Sequence, residues 1–154
     1  MKLFFLLFLF LTAVVNGQTV GKVVGITDGD TFTLLKEDST TIKVRFHGID
    51  CPEKSQPFAN VCKKYLSDLI YGKTVSLQKN GIDRYGRTLA IVFIDTINVN
   101  ETLLSTGFAW HYKSYDKNSK WSDLEINAKK NKKGLWADKN PIPPWEWRKK
   151  RLRN

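Results

Sequence analysis

The chain has 154 residues, with 25 lysines and arginines against 15 acidic residues and a net charge of +10. This length is enough for one domain with a hydrophobic core. The positive charge favours a polyanionic partner, such as nucleic acid, acidic polysaccharide or an anionic membrane. Only two histidines are present, which argues against a zinc site built from several imidazoles.

The N-terminus has the pattern of a secretory signal peptide. Lys2 precedes an apolar run over residues 3–15 that is too short to span a bilayer as a helix. We predict cleavage near Gly17, release into the extracellular space or periplasm, and a mature net charge of +9. The alternative is an uncleaved anchor. In an oxidising compartment Cys51 and Cys62 could form a disulfide, and the sequence leaves this open.

Five segments are predicted to be strands. The clearest runs over residues 40–47, where apolar residues alternate with polar ones, so that one face is core and Arg45 stands on the other. A turn formed by Asp28, Gly29 and Asp30 joins the first two strands. The five predicted strands are residues 20–26, 31–35, 40–47, 75–78 and 89–94.

Three stretches are predicted to be helices. The first begins at Pro57 and ends at Gly72. The second begins at a capping pair, Asn98 and Glu101, and ends at Gly107. Residues that mark the third are Trp121, Leu124 and Ala128. The predicted buried stripe of the first helix is Val61, Tyr65, Leu66, Leu69 and Ile70.

This order of elements predicts an α+β fold, a five-stranded OB-type β-barrel with three packed helices. We divide the chain into a signal peptide (residues 1–17), the barrel domain (18–139) and a Pro-rich basic C-terminal tail (140–154). The prolines of the tail predict an extended course, and its basic residues are expected to be solvated. Those basic residues are Arg148, Lys149, Lys150, Arg151 and Arg153.

Acids and arginines cluster at strand ends, where a hydrophobic core would not place them. Asp30 and Asp50 offer hard oxygen ligands that suit calcium. Glu53 lies close to Asp50 and could deprotonate a water molecule. Arg45 and Arg87 offer guanidinium forks that match phosphate oxygens. Together these groups could hydrolyse a phosphodiester.

Three motifs carry these residues in a specific order. They are Asp-Gly-Asp-Thr at 28–31, Arg-x3-Ile-Asp-x-Pro-Glu at 45–53 and Asp-x-Tyr-Gly-Arg at 83–87. In this order they resemble the staphylococcal (micrococcal) nuclease, or thermonuclease, family. The similarity extends over about residues 20–136, and the tail at 140–148 looks like that of secreted bacterial members.

The resemblance implies that Asp30 and Asp50 bind Ca2+ through their carboxylates and that Cys51 adds its backbone carbonyl. Glu53 would act as the general base toward water, or position that water. The resemblance also assigns Arg45 and Arg87 to the scissile phosphate. Tyr85 and Tyr112 match aromatic positions that line the nucleotide pocket, although surface packing explains Tyr112 equally well.

We therefore predict a secreted, calcium-dependent nuclease, monomeric and without stable membrane association, that cleaves DNA, RNA or both with little sequence specificity. The alternative is a non-catalytic OB module that binds nucleic acid or another polyanion. Retention of the acids and arginines distinguishes the two, and this chain retains all five: Asp30, Arg45, Asp50, Glu53 and Arg87. The preference for DNA or RNA and the endo or exo mode stay open.

Overall fold

Eight strands and four α-helices make up residues 18–152, the part of the chain that the computed structural model describes. The predicted signal peptide lies outside the described residues. The strands are β1 (Thr19–Ile26), β2 (Thr31–Lys36), β3 (Thr41–Phe46), β4 (Ile49–Asp50), β5 (Thr74–Ile82), β6 (Thr88–Ile94), β7 (Ile97–Asn98) and β8 (Trp110–His111). The helices are α1 (Ala59–Ile70), α2 (Val99–Ser105), α3 (Ser119–Lys130) and α4 (Pro144–Arg151), with a 3-10 turn at Gly134–Ala137.

Five of the strands close into a barrel, which confirms the predicted fold. Antiparallel pairing gives the order β3-β2-β1-β5-β6, and parallel pairing of β3 with β6 closes the ring. Register shifts between Val23 and Gly25 on β1 and between Lys79 and Gly81 on β5 mark bulges. Bulges increase the local bend of a strand, which helps a small sheet to close.

The barrel core follows the alternation seen in the sequence. On β3, Val44 and Phe46 are buried whereas Lys43 is exposed. Phe46 packs against Phe32 of β2 with ring centroids 5.6 Å apart. Burial of such side chains stabilises the fold by about 2 kcal/mol each. The same cluster includes Leu66 and Ile70 of α1 and Val99, Leu103 and Leu104 of α2.

The second and third predicted helices are confirmed as α2 and α3. The side chain of Asn98 accepts a hydrogen bond from the backbone N–H of Glu101 at 3.1 Å, so the predicted cap is present. Asn118 caps α3 in the same way through the N–H of Trp121. Each cap satisfies a backbone donor that the first helical turn leaves without a partner.

Helix α1 begins later than predicted, and its buried face matches the prediction at Leu66 and Ile70, with Tyr65 and Leu69 half-buried against the core. Phe58, with φ of 66°, precedes the first helical residue, so Pro57 lies outside the helix. The buried residues are Ala59, Cys62, Leu66 and Ile70. Val61 is 51% exposed, and its predicted burial is wrong. Cys62 takes the buried position that was predicted for its neighbour Val61.

The predicted extended course of the tail is only partly correct, because α4 begins at Pro144. Pro143 is extended, and the proline at the first helical position needs no backbone N–H there. The indole of Trp145 then stacks on Tyr112, with centroids 4.8 Å apart. The tail therefore packs on the barrel domain. Within the described part of the chain, no helix has the length and apolarity needed to cross a membrane.

Candidate active site

A groove of about 970 Å3 lies between the β1–β2 turn, the end of β3, the β5–β6 turn and α4. It brings together seven of the eight predicted site residues, and the eighth, Asp50, is buried and bonded to arginines that line the groove. The seven lining residues are Asp30, Arg45, Cys51, Glu53, Tyr85, Arg87 and Tyr112.

The turn between β1 and β2 places Asp30 at the base of the groove. Asp30 is 4% exposed and accepts hydrogen bonds from Thr31 Oγ1 at 3.1 Å and the backbone N–H of Cys51 at 2.9 Å. Gly29 makes this close approach possible, because a Cβ there would lie 2.8 Å from the Cβ of Cys51. Asp30 is thus brought next to the backbone of Cys51, the third predicted metal ligand.

Arg45 connects the two aspartates from its strand. One guanidinium nitrogen bonds to Asp30 Oδ1, and the other donates to Asp50 Oδ1 at 2.8 Å. Burial opposes the charge on Arg45, but the two carboxylates outweigh burial and raise the pKa of the guanidinium. Arg45 therefore stays charged throughout the working pH range.

The aspartates carry more buried negative charge than the neighbouring arginines balance. Burial, and then repulsion from Asp30, raise the pKa of Asp28 to about 6. Burial and the Asp30 charge also raise the pKa of Asp50, and Arg148 and Arg45 only partly offset this. A divalent cation would supply the missing positive charge.

The donor set is compatible with calcium, which prefers carboxylate and carbonyl oxygens. Within residues 18–152, no group of three or more histidine, cysteine, aspartate or glutamate side chains forms a metal site. A cation here would therefore depend on the carboxylates of Asp30 and Asp50 together with backbone oxygen and water. The Cys51 carbonyl is the predicted backbone ligand beside them.

Arg87 reaches the groove from the turn between β5 and β6. Its guanidinium donates to Asp83 Oδ2 through Nε and Nη2, both at 2.7 Å, and Nη1 lies 3.4 Å from Thr31 Oγ1. Asp83 also accepts from the backbone N–H groups of Tyr85 and Arg87. Hydrogen bonds to Arg87 outweigh desolvation and lower the pKa of Asp83. The turn therefore fixes the guanidinium of Arg87 through Nε and Nη2, while Nη1 does not bond to Asp83.

Aromatic rings flank the groove on two sides. Tyr85 is 68% exposed, and the guanidinium of Arg87 lies 5.4 Å from its ring centroid. Tyr112 also packs edge-on against Tyr115, with centroids 4.7 Å apart. An exposed ring such as Tyr85 can stack on a nucleic-acid base, whereas Tyr112 is half-buried by its aromatic neighbours. Tyr112 combines packing with a position at the groove, so the two alternatives for this residue are compatible.

One residue that contacts the predicted site, Arg148, was missed from the sequence. Its Nη2 donates to Asp50 Oδ2 at 2.8 Å and its Nη1 donates to Glu53 Oε1 at 2.6 Å. The prediction that the basic end is solvated is therefore wrong for Arg148, although Lys149 and Lys150 are exposed. The signal available was the Trp-Glu-Trp-Arg segment, in which tryptophans suggest packing, but the surrounding basic run concealed it.

Both cysteines are free and buried. Cys51 Sγ donates to Gly29 O and Cys62 Sγ donates to Phe108 O, each at 3.2 Å. Burial raises the pKa of the Cys62 thiol to about 12 and that of Cys51 well above its usual value. Such thiols are poor nucleophiles. They pack beside the Asp30 turn as small apolar groups.

Comparisons with known proteins find nuclease relatives of this chain. Residues 43–138 match the family model described as "Staphylococcal nuclease homologue". An "Uncharacterized endonuclease" of Haemophilus influenzae is 45% identical over 94% of this chain and 81% of its own length. Another of that name from Escherichia coli is 36% identical over 92% of this chain and 93% of its own length. A "Micrococcal nuclease" of Shigella flexneri is 36% identical over 84% of this chain and 80% of its own length.

Proposed function

The chain belongs to the staphylococcal nuclease family, and from that membership and the groove we propose that it is a secreted, calcium-dependent nuclease. It hydrolyses phosphodiester bonds of DNA, RNA or both. Little base selectivity is expected, because the groove offers aromatic rings and charged groups that tolerate any base. The nuclease names of three relatives support the nucleic-acid substrate.

One observation supports this proposal most directly: Glu53, Arg45 and Arg87 all line one groove above the buried Asp30 and Asp50. A surface salt-bridge network would not need to combine a carboxylate open to the groove with two guanidinium groups around a single space. Phosphodiester hydrolysis needs that combination, since water must be activated while negative charge grows on the phosphate.

Each of the three groups has a part in the reaction. A water oxygen bonds to phosphorus while the bond from phosphorus to the leaving ester oxygen breaks. Glu53 accepts the proton that the attacking water loses, and the leaving oxygen takes a proton from solvent water. Arg45 and Arg87 donate hydrogen bonds to the phosphate oxygens, whose charge increases toward the transition state.

Asp30, Asp50 and the carbonyl of Cys51 would hold calcium, which supplies additional positive charge beside the phosphate. The excess of buried negative charge around Asp28 and Asp50 supports this assignment. Tyr85 and Tyr112 would stack on the nucleotide next to the scissile bond. Except for the buried Asp50, all of these residues line the groove, which supports the assignment.

The experiment compares single-turnover cleavage and binding of a non-hydrolysable oligonucleotide, using residues 18–154 with calcium or with excess EGTA. We expect no cleavage in EGTA. Glu53→Gln should reduce turnover by orders of magnitude while binding is kept, because Glu53 acts in the chemical step. Arg87→Lys keeps the charge but loses the planar fork, so it should also lose most of the turnover.

Two exposed residues provide matched controls. Arg151→Lys makes the same exchange at an exposed arginine that does not line the groove, and Glu37→Gln removes a distant exposed carboxylate. Both controls should cleave at the wild-type rate. Wild-type cleavage by both Glu53→Gln and Arg87→Lys would overturn the proposed site. Oligonucleotide binding without any cleavage would favour the alternative, a non-catalytic binding module.

Secretion and a monomeric state without stable membrane association are part of the same proposal. The Lys2 start and the apolar run over residues 3–15 support export. Fractionation of cells that express the full chain, followed by intact-mass measurement, tests it. Activity that stays in the cytoplasm with residues 1–17 uncleaved would contradict export.

A further inference from the structure

Helix α4 is held on the barrel domain by contacts that do not involve Arg148. Pro144 is buried, and the ring of Trp145 stacks on Tyr112 and meets Trp110 edge-on at 5.7 Å. The indole N–H of Trp147 donates to Ser55 Oγ at 3.3 Å. These contacts can keep α4 docked without Arg148, since aromatic packing stabilises an interface more than a partly exposed ion pair does.

Arg148 contacts different groups from the other residues of α4. It binds Asp50 through Nη2 and Glu53 through Nη1, at 2.8 Å and 2.6 Å. Asp50 would remain paired without it, because Arg45 holds the other carboxylate oxygen. For the Glu53 carboxylate, Arg148 is the one hydrogen-bond donor within residues 18–152. The guanidinium of Arg148 therefore decides where that carboxylate points.

We propose that Arg148 is a positioning residue of the active site, which reaches in from α4 and fixes the carboxylate of Glu53 for proton transfer. The inference rests on the proposed role of Glu53 as the base. Glu53 follows Pro52 on a segment without regular secondary structure, and its side chain is 30% exposed. An exposed glutamate samples several rotamers, and only those facing the attacking water are productive.

The geometry of a guanidinium suits this task. Its two Nη groups are held in one plane, so Nη2 bound to the buried Asp50 fixes the direction in which Nη1 meets Glu53. Asp50 is 1% exposed and cannot move freely. Arg148 thereby connects the half-buried carboxylate of Glu53 to a buried group of the barrel domain.

The test compares Arg148→Gln with Lys149→Gln by steady-state and single-turnover kinetics with calcium. Both variants remove one positive charge from α4, but Lys149 is exposed and does not line the groove. We expect Arg148→Gln to lower kcat about 10- to 100-fold with little change in KM, as a misplaced catalytic group does. Lys149→Gln should be unchanged, and Arg148→Lys should recover part of the loss.

A double-mutant cycle with Glu53→Gln separates this inference from the proposed function. If Arg148 acts through Glu53, Arg148→Gln should change the residual rate of Glu53→Gln by less than about twofold. Near-UV circular dichroism of the tryptophans should show α4 still docked in every variant.

Three outcomes would overturn the inference while Glu53 remains essential. They are a wild-type kcat for Arg148→Gln, a kcat that rises, and an equal loss in the wild-type and Glu53→Gln backgrounds. A full rate for Glu53→Gln itself would instead overturn the proposed function. A loss that appears only with undocking of α4, and that Arg148→Lys does not recover, would assign Arg148 to the fold.

Discussion

Arg45 and Arg148 bind the same carboxylate, Asp50, from two different kinds of scaffold. Arg45 stands inside β3, between strands β2 and β6, and its side chain is 17% exposed. Arg148 stands on the helix at the C-terminal end of the described chain, and its side chain is 36% exposed. Arg45 is thus part of a barrel strand, whereas Arg148 lies on a helix that packs on the barrel domain.

The two arginines are therefore expected to contribute differently to folding stability and to catalysis. Arg45 balances two buried carboxylates, Asp30 and Asp50, so the barrel itself needs its charge. Arg148 adds a second partner to Asp50, already paired with Arg45, and a first partner to Glu53. Loss of Arg45 should therefore affect both stability and chemistry, and loss of Arg148 mainly chemistry.

The largest effect is expected for Arg45→Met, measured by urea unfolding in EGTA and by single-turnover cleavage in calcium. Among residues 18–152, Arg45 is the one arginine paired with Asp30, and a buried charge without its partner costs about 3 kcal/mol. Turnover should fall by orders of magnitude, because the variant also lacks a donor to the phosphate. Arg148→Gln should cost about 1 kcal/mol or less, since that pair is partly exposed.

Lys43→Met is the matched control, because Lys43 lies two residues away on the same strand and is exposed. It should leave both stability and turnover near the wild-type values. Equal losses of stability for Arg45→Met and Arg148→Gln would contradict the division between a barrel arginine and an added one.

The position of Arg45 could be predicted from the sequence and that of Arg148 could not, because local interactions place the first and long-range interactions place the second. Alternation on β3 is local, so the burial of Val44 and Phe46 and the opposite position of Arg45 could be predicted. Arg148 is placed by Trp145 stacking on Tyr112, a contact between distant parts of the chain. A pattern of neighbouring residues does not encode such a contact.

The errors in individual elements have the same origin. Strand β5 extends to Ile82, past the predicted end at Gln78, because its exposed final residues pair with β6 beyond a bulge and show no alternation. Helix α4 was missed because prolines and basic residues suggest an extended tail when read locally. By contrast, the cap at Asn98 is a local hydrogen bond and was predicted correctly.

Asp28 is a carboxylate of the same site that, unlike Asp50, has no arginine partner. Within residues 18–152, no ion pair joins it to Arg45 or to Arg148. Its pKa is raised from 3.8 to about 6, so the folded protein binds the proton more tightly than the unfolded chain does. The stability from this group is therefore present below about pH 4 and is lost as the pH rises through about 6. Asn does not ionise, so Asp28→Asn should not lose stability in this range. Its free energy of unfolding should exceed that of the wild type by about 1–2 kcal/mol at pH 7 in EGTA.

Urea unfolding at pH 4.5 and pH 7 measures this difference. Asp123→Asn, which removes an exposed carboxylate on α3, is the control and should leave the pH dependence unchanged. A stability gain for Asp28→Asn that is the same at both pH values would show that the gain has another cause than the buried charge.

The smallest effect concerns the basic residues that follow Arg148 on α4. Lys149, Lys150 and Arg151 are exposed, so they can attract phosphates without contacting the site. Replacing all three with glutamine should reduce the salt dependence of oligonucleotide binding, with a change in slope of about 0.9 for each duplex phosphate that the helix no longer neutralises. The kcat should stay at the wild-type value, because Arg148 is kept.

A control with the same charge replaces Lys22, Lys79 and Lys130, which are exposed on other elements and do not line the groove. If both triple variants changed the slope equally, net charge alone would explain capture, and α4 would act on the substrate only through Arg148.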